Sequence, residues 1–349
     1  MASTLLVLGA ATAAFVGVNI GGSSTGVAFG PATGSGAVSM RQAAALMAAF
    51  ALLGGATVGT NVVHTLGEEF VPPRYFTLEA SIGILLFTGL SILLGNALKV
   101  SVSTSETAVG AVVGMGAALD VLRWETVGVV VMWWFVSPLV AFWVAGFFGR
   151  YLYDSLVDRL DLRDRLGPAT RLAVVGIGCY MAFSAGASNV ANAVAPLVGA
   201  GAMKMTPAVA LGGLAIGVGA FVLGPRTMET VGEEITDLSL EASLVVELLA
   251  ASIITALSWG GIPASLAVTT TACVIGLGWG RASRRIPLEA AVRPEGLTAG
   301  ERETWRDDQL ELYDPRTTKR VVSTWFATPL LAGATAYAAF EAATRLPVA

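Results

Sequence analysis

Long apolar runs separated by short polar segments fill most of this chain. Apolar runs of up to about 20 residues, the length that crosses a bilayer as a helix, lie at residues 4–20, 42–60, 77–98, 127–148, 172–184, 207–224, 240–259 and 321–342. The run at 172–184 is too short to span a bilayer alone, and it leads into a polar, glycine-rich stretch. This pattern predicts an all-α integral membrane protein that crosses the cell membrane several times.

One polar segment occurs twice within this apolar background. Residues 21–40 read GGSSTGVAFGPATGSGAVSM, and residues 186–205 read GASNVANAVAPLVGAGAMKM. An offset of 165 positions, Gly21 to Gly186, aligns the two copies and continues through residues 69 and 234. The alignment contains 17 identities in 49 pairs, where chance would give roughly a tenth. The chain therefore contains an internal duplication.

Two further elements are paired in the same order. The hydroxyl-rich stretches at residues 101–110 and 263–272 align at an offset of 162, Ser103 to Ser265. The sequence WFVSPLVA from Trp134 matches WFATPLLA from Trp325. Paired polar interruptions in the two halves of a membrane protein indicate broken helices and re-entrant hairpins that line a cavity. We therefore predict a first transmembrane repeat at 1–149, a charged linker at 150–171 and a second repeat at 172–349.

The distribution of basic residues predicts the orientation of the two repeats. The loop after the first hairpin, residues 120–126, contains one basic residue, whereas the corresponding loop in the second half, residues 281–320, contains nine. Basic residues concentrate in cytoplasmic loops. The 281–320 insertion and the linker are therefore expected on the cytoplasmic side, which places equivalent loops on opposite sides and predicts inverted-topology repeats.

Composition and charge exclude several classes of protein. The chain is 54% apolar and 13% charged, with a mean hydropathy of +0.71, which does not fit a soluble core. The net charge of -4 and the scattered basic residues argue against a nucleic-acid partner. Cys179 and Cys273 lack a nearby cysteine or histidine in sequence, so we expect packing roles and no metal site.

The paired motifs resemble those of the PiT family of inorganic phosphate transporters. Its signature, G-x-N-D-x-A-N-A-x-G-P/T, is similar to GASNVANAVAP at 186–196 and more loosely to GGSSTGVAFGP at 21–31. Its P-V-S-T-T-H hairpin is similar to SVSTSE at 101–106 and to PASLAV at 263–268. The resemblance covers nearly the whole chain. It implies a symporter that carries phosphate by alternating access, with sodium or protons as the coupling cation and no other cofactor.

The resemblance also implies where the substrate binds. Hydroxyl side chains precede the expected helix starts, where backbone N–H groups and the positive end of the helix dipole can hold an anion. Packing of helices through small residues is the competing explanation for any single serine, whereas four symmetric stretches together favour a binding site. The residues expected to contact phosphate are Ser23, Ser24, Thr25, Ser103, Thr104, Ser105, Ser188, Asn189, Asn192 and Ser265.

The coupling cation has fewer candidate ligands. Where the family has Asn-Asp, this chain has Ser23-Ser24 in the first half and Ser188-Asn189 in the second, so the expected carboxylates are missing. Asn189 and Asn192 offer neutral oxygens for sodium. Among intramembrane acids, which are rare and commonly functional, Glu106 is a candidate for a proton or for sodium and Glu247 is a candidate for a proton relay.

Three alternatives remain open at this point. A sulfate or other tetrahedral oxyanion permease fits the same fold, because hydroxyl and backbone donors do not distinguish sulfate from phosphate. An intramembrane enzyme would use the acidic group Asp307, Asp308, Glu311 and Asp314, but these residues stand among mixed charges and read better as a solvated face. A structural membrane module would not need two polar motifs. We expect no enzymatic activity; the expected partners are phosphate, the cation and the lipid bilayer, and the sequence allows a homodimer.

Overall fold

The computed structural model describes residues 2–98, 102–153, 155, 167–225, 239–285 and 315–345, and the regular structure in these ranges is helical. The α-helices are α1 (Ala2–Gly34), α2 (Met40–Thr57), α3 (Gly59–His64), α4 (Leu78–Ala97), α5 (Thr104–Ala118), α6 (Trp124–Phe147), α7 (Pro168–Gly199), α8 (Met205–Val222), α9 (Leu240–Trp259), α10 (Leu266–Ala282) and α11 (Pro315–Arg345). Short π-helical turns follow α3 and α6 at Thr65–Glu69 and Phe148–Leu152, and 3-10 turns lie at Pro73–Tyr75 and Ser283–Arg285.

Several of these helices are long and apolar enough to cross a bilayer. Within the described ranges, six helices qualify singly: α1, α4, α6, α7, α8 and α9. A further span is formed if α2 is combined with the Gly59–Glu69 segment, which is bent from it by 64°. The prediction of a multi-pass, all-α membrane protein is therefore confirmed.

Helix boundaries repeat between the halves with the offsets read from the sequence. Helix α2 spans Met40–Thr57 and α8 spans Met205–Val222, an offset of 165 at both ends. Helix α4 (Leu78–Ala97) and α9 (Leu240–Trp259) are related by 162 at both ends. Gly36 and Gly201, also related by 165, both adopt positive φ in the turns after the motif helices, a backbone conformation that favours glycine. The duplication is thus a duplication of structure.

Equivalent helices run in opposite directions. Gly9, near the start of α1, packs on Leu197 near the end of α7. At the other end, Arg171 at the start of α7 donates a hydrogen bond from Nε to the carbonyl oxygen of Ala37, 2.7 Å away, just beyond α1. Antiparallel equivalent helices are what an inverted repeat requires.

The two halves interleave instead of standing side by side. A Cβ added to Gly21 of α1 would lie 2.0 Å from the carbonyl oxygen of Ile216 in α8, and one added to Gly186 of α7 would lie 2.0 Å from that of Ala51 in α2. These are the same contact seen twice, related by the offset of 165. Glycines also allow α5 to approach α11 and α10 to approach α6. Small residues at such crossings are typical of closely packed membrane helices.

The predicted breaks within the polar motifs are wrong. Helix α1 continues through the first motif to Gly34, and α7 continues through the second to Gly199. Helical continuity satisfies the backbone, and the motif glycines allow close helix approach, so no irregular backbone is needed there. The break lies instead at Val58, between α2 and α3.

Several predictions fall outside the described residues. The 281–320 loop is described only at its two ends, and residues 286–314, which include the acidic group from Asp307 to Asp314, lie outside. Residues 154 and 156–166 of the linker lie outside as well. The sidedness of these segments and the division of the chain into 1–149, 150–171 and 172–349 stay predictions.

Candidate functional site

The N-terminus of α5 lies in the interior of the protein. Ser103 is its N-cap, and the Ser103 hydroxyl accepts a hydrogen bond from the backbone N–H of Glu106 at 3.4 Å. The hydroxyl of Thr107 donates to the Ser103 carbonyl at 2.7 Å. The backbone N–H groups of Thr104 and Ser105, in the first turn, have no acceptor within the helix. This helix end therefore presents donors and the positive end of its dipole.

The N-terminus of α10 is built in the same way and reaches the same region. Ser265 caps it by accepting from the backbone N–H of Val268 at 3.3 Å. The preceding carbonyl, that of Ala264, accepts a hydrogen bond from the hydroxyl of Ser188 at 2.7 Å. Trp134 fixes this segment by donating from its ring N–H to the carbonyl of Pro263 at 2.9 Å. Ser188, midway along α7, thus contacts the segment that leads into α10.

Asn189 links α7 to the start of α5. Its side-chain oxygen, Oδ1, accepts hydrogen bonds from the hydroxyl of Thr104 at 2.9 Å, from the amide of Asn192 at 3.2 Å and from the hydroxyl of Ser105 at 3.4 Å. All four side chains are buried. One acceptor therefore orients three donors from two helices.

Three more contacts complete this network. The hydroxyls of Ser105 and Ser188 lie 3.2 Å apart, and the Asn192 amide donates to the Ser105 hydroxyl at 3.1 Å. The Asn189 amide reaches the hydroxyl of Ser24 in α1, at 3.5 Å. We call these six buried residues the polar cluster: Ser24, Thr104, Ser105, Ser188, Asn189 and Asn192.

Four of the ten residues expected to contact substrate lie outside the polar cluster. The hydroxyl of Ser23 donates to the carbonyl of Ile20, and the hydroxyl of Thr25 donates to that of Gly21, so both are turned back onto α1. Such back-bonding to the preceding turn is common for hydroxyls within helices. Ser103 and Ser265 cap α5 and α10 at the edges of the polar cluster.

Equivalent positions in the two repeats contribute unequally to the polar cluster, although the fold is symmetric. The positions equivalent to Thr104 and Ser105 in the second half are Leu266 and Ala267, and the position equivalent to Asn192 in the first half is Val27. Polar side chains therefore come from α5 and α7, with Ser24 as the contribution of α1. Helix α10 adds its capped N-terminus and the Ala264 carbonyl.

The polar cluster contains neither a basic nor an acidic side chain. The nearest acid along the chain is Glu106, which is buried in the first turn of α5. Asn192 Oδ1 is buried and has no hydrogen-bond partner among the described residues. The same residues contain no group of three His, Cys, Asp or Glu side chains that could hold a metal. The arrangement can hold an anion through neutral donors, and its amide oxygens can contact a monovalent cation.

Glu247 lies apart from the polar cluster, buried in α9. Two further polar contacts join helices outside the polar cluster and were not predicted from the sequence. Ser184, one turn before Ser188, donates its hydroxyl to the carbonyl of Ala251 at 3.0 Å. The Asn96 amide donates to the Asn19 carbonyl at 3.1 Å. An asparagine within an apolar run was the available signal for the second contact, whereas no sequence signal marks the first.

Comparison with known proteins gives consistent results. The sequence model of the phosphate transporter family matches residues 20–165 and 152–336. The sulfate permease CysP of Bacillus subtilis is 34% identical over 266 residues, which covers 76% of this chain and 74% of the relative. A protein of Pyrococcus abyssi assigned as a phosphate permease is 25% identical over 366 residues, covering 80% and 89%. A solved structure, a sodium-dependent phosphate transporter, has the same fold, with a TM-score of 0.73 at 22% identity over 98% of this chain and 99% of the other.

Proposed function

The chain belongs to the phosphate transporter family, and we propose that it carries inorganic phosphate across the cell membrane by cation-coupled alternating access, with the polar cluster as the substrate site. The observation that carries the proposal is the convergence of the α5 and α10 N-terminal segments on Ser188 and Asn189.

The chemistry of the polar cluster suits an oxyanion. An anion that leaves water must regain its lost hydration from fixed donors. Helix N-termini supply N–H groups and positive dipole ends, and hydroxyls and amides supply adaptable donors. No arginine or lysine belongs to the cluster, so the anion is held by neutral groups, which favours its release after transport.

Energetics require a coupled cation. Each net negative charge moved into a cell with a negative interior costs about 2.3 kcal/mol per 100 mV. Sodium would use the neutral oxygens of Asn189 and Asn192, of which Asn192 Oδ1 is unoccupied by any donor of the described residues. A proton would use Glu106, in the first turn of α5, or Glu247, in the interior of α9, both of which are buried.

Sulfate is a second candidate substrate, favoured by two observations. The sulfate permease of Bacillus subtilis is 34% identical to this chain. The polar cluster lacks a carboxylate, the acceptor that best distinguishes the protonated oxygen of hydrogen phosphate from the oxygens of fully ionised sulfate.

Transport by the purified protein in liposomes tests the proposal. Uptake of radiolabelled phosphate, and in parallel of radiolabelled sulfate, is measured under an imposed sodium gradient or an imposed proton gradient, and phosphate uptake is repeated with excess unlabelled sulfate as competitor. Phosphate uptake that is driven by one gradient and resists sulfate supports the proposal. Phosphate uptake that sulfate abolishes, together with uptake of labelled sulfate itself, identifies sulfate as the substrate. Absence of uptake of either anion under both gradients contradicts oxyanion transport.

A further inference from the structure

Glu247 is a buried acid without a compensating charge. Glu247 is 4% exposed, and its Oε1 atom is buried without a hydrogen-bond partner among the described residues. Among the described residues, the ion pairs formed are His64 with Glu68 and Arg345 with Glu341, and neither involves Glu247. An ionised carboxylate in such surroundings would be prohibitively expensive. The carboxyl group is therefore neutral in this conformation, which means that it carries a proton.

The helices around α9 offer no counter-charge to Glu247. Helix α9 packs against α7, α10, α6, α3 and α1. The titratable side chains that these helices carry are Arg171, Cys179 and Tyr180 of α7, Cys273 and Arg281 of α10, Glu125 of α6 and His64 of α3, and α1 carries none. The basic side chains among them are engaged elsewhere: Arg171 with the Ala37 carbonyl, Arg281 over the Tyr153 ring and His64 with Glu68.

The internal duplication shows that the fold does not need this acid. The position equivalent to Glu247 in the first half is Leu85 of α4, which is fully buried. An apolar side chain therefore satisfies the packing at this place in the architecture. A carboxyl group with an unsatisfied oxygen destabilises a buried position, so its presence in the second half alone points to a functional role.

Glu247 lies within reach of conformational changes at the polar cluster. One helical turn further along α9, the Ala251 carbonyl accepts the hydrogen bond from Ser184 of α7. Ser184 in turn lies one turn before Ser188 of the polar cluster. The step from Glu247 to Ala251 in α9 and the step from Ser184 to Ser188 in α7 each rise about 6 Å, so together they amount to about 12 Å along the helices. Movement of α7 against α9 would therefore act on both the substrate site and the surroundings of Glu247.

We propose that Glu247 is the carrier of the coupling proton. Its carboxylate takes up a proton from water on the side where the site is open, stays neutral while buried, and returns the proton to water on the other side. This inference rests on the proposed cation-coupled oxyanion transport. It identifies the coupling cation as a proton and names Glu247 as the residue that carries it.

Two transport assays on Glu247→Gln separate this role from others. The first measures accumulation of labelled phosphate, and of labelled sulfate, in liposomes with an alkaline interior. One proton per anion lets a gradient of one pH unit support about tenfold accumulation. The second measures exchange of labelled external anion for the same unlabelled anion inside, without a gradient. Glutamine resembles the protonated acid, so the variant should keep exchange and lose the pH-driven accumulation.

Two further variants provide controls. Glu247→Leu installs the side chain that its equivalent position already has, so it should fold and lose pH-driven accumulation. Glu241→Gln removes an acid from the first turn of the same helix and should accumulate anion as the unmodified protein does.

The proposal is overturned if Glu247→Gln accumulates anion normally, if it loses exchange together with accumulation, or if the unmodified protein exchanges anion but ignores the pH gradient. Failure of the unmodified protein to exchange either anion would instead contradict the proposed function.

Discussion

Replacing Asn189 by serine tests the residue whose side-chain oxygen accepts three hydrogen bonds in the polar cluster. Serine is the residue at the equivalent position, 24, in the first half. The substitution removes an acceptor that holds Thr104 at 2.9 Å and Asn192 at 3.2 Å, together with a longer contact to Ser105. A hydrogen bond contributes about 0.5–1.5 kcal/mol net. Loss of the two shorter bonds should therefore weaken oxyanion binding by about 1–3 kcal/mol, or roughly 5- to 150-fold in Kd.

Isothermal titration of the purified protein with phosphate, and separately with sulfate, measures this change. Asn96→Ser is the matched control, because Asn96 bonds to the carbonyl of Asn19 away from the polar cluster; its Kd should equal that of the unmodified protein. The melting temperature of each variant shows whether the fold is retained. A Kd for Asn189→Ser within about twofold of the unmodified value, about 0.4 kcal/mol, would refute the view that Asn189 organises the site.

Three further substitutions test the helix packing and the choice of residues in the substrate site. Gly186→Ala should lower the melting temperature strongly, because its Cβ would meet the Ala51 carbonyl at 2.0 Å, whereas Gly176→Ala on the same helix, with nothing within 4 Å of its Cβ, should not. Ser105→Ala should reduce oxyanion affinity about tenfold in isothermal titration, since an N–H of the Asn192 amide loses its acceptor, at a cost of about 1–3 kcal/mol, and an unchanged Kd would exclude Ser105 from the site. Thr25→Val should leave transport rates in liposomes unchanged, because the Thr25 hydroxyl bonds only to its own helix, and a large loss of rate would restore it as a substrate contact.

Much of the fold could be read from the sequence, because a bilayer imposes length and polarity on each span. The apolar runs located the spanning helices, and the offsets of 165 and 162 recur at the ends of α2 and α8 and of α4 and α9. The interleaving of the halves could not be predicted. It depends on contacts between distant glycines, such as Gly186 on Ala51, that leave no local pattern.

The substrate site stays a prediction, but the structure shows why the hydroxyls of the two motifs are placed differently. A glycine- and serine-rich run is compatible with both a broken helix and a close-packed continuous one, and only tertiary contacts decide between them. In α1, Ser23 and Thr25 bond back to the preceding turn, while Ser188 in α7 bonds outward to Ala264. Two motifs with similar sequences therefore place their hydroxyls differently.

The most direct test of oxyanion transport is anion exchange in liposomes that contain the purified protein and unlabelled phosphate inside. Labelled phosphate is added outside with no ion gradient, so the result depends on the substrate site and alternating access and not on the coupling ion. We expect labelled phosphate to enter faster than in protein-free liposomes, and Asn189→Ser to slow its entry when phosphate is scarce. Entry no faster than in protein-free liposomes, for phosphate and for sulfate in a parallel experiment, would contradict the account.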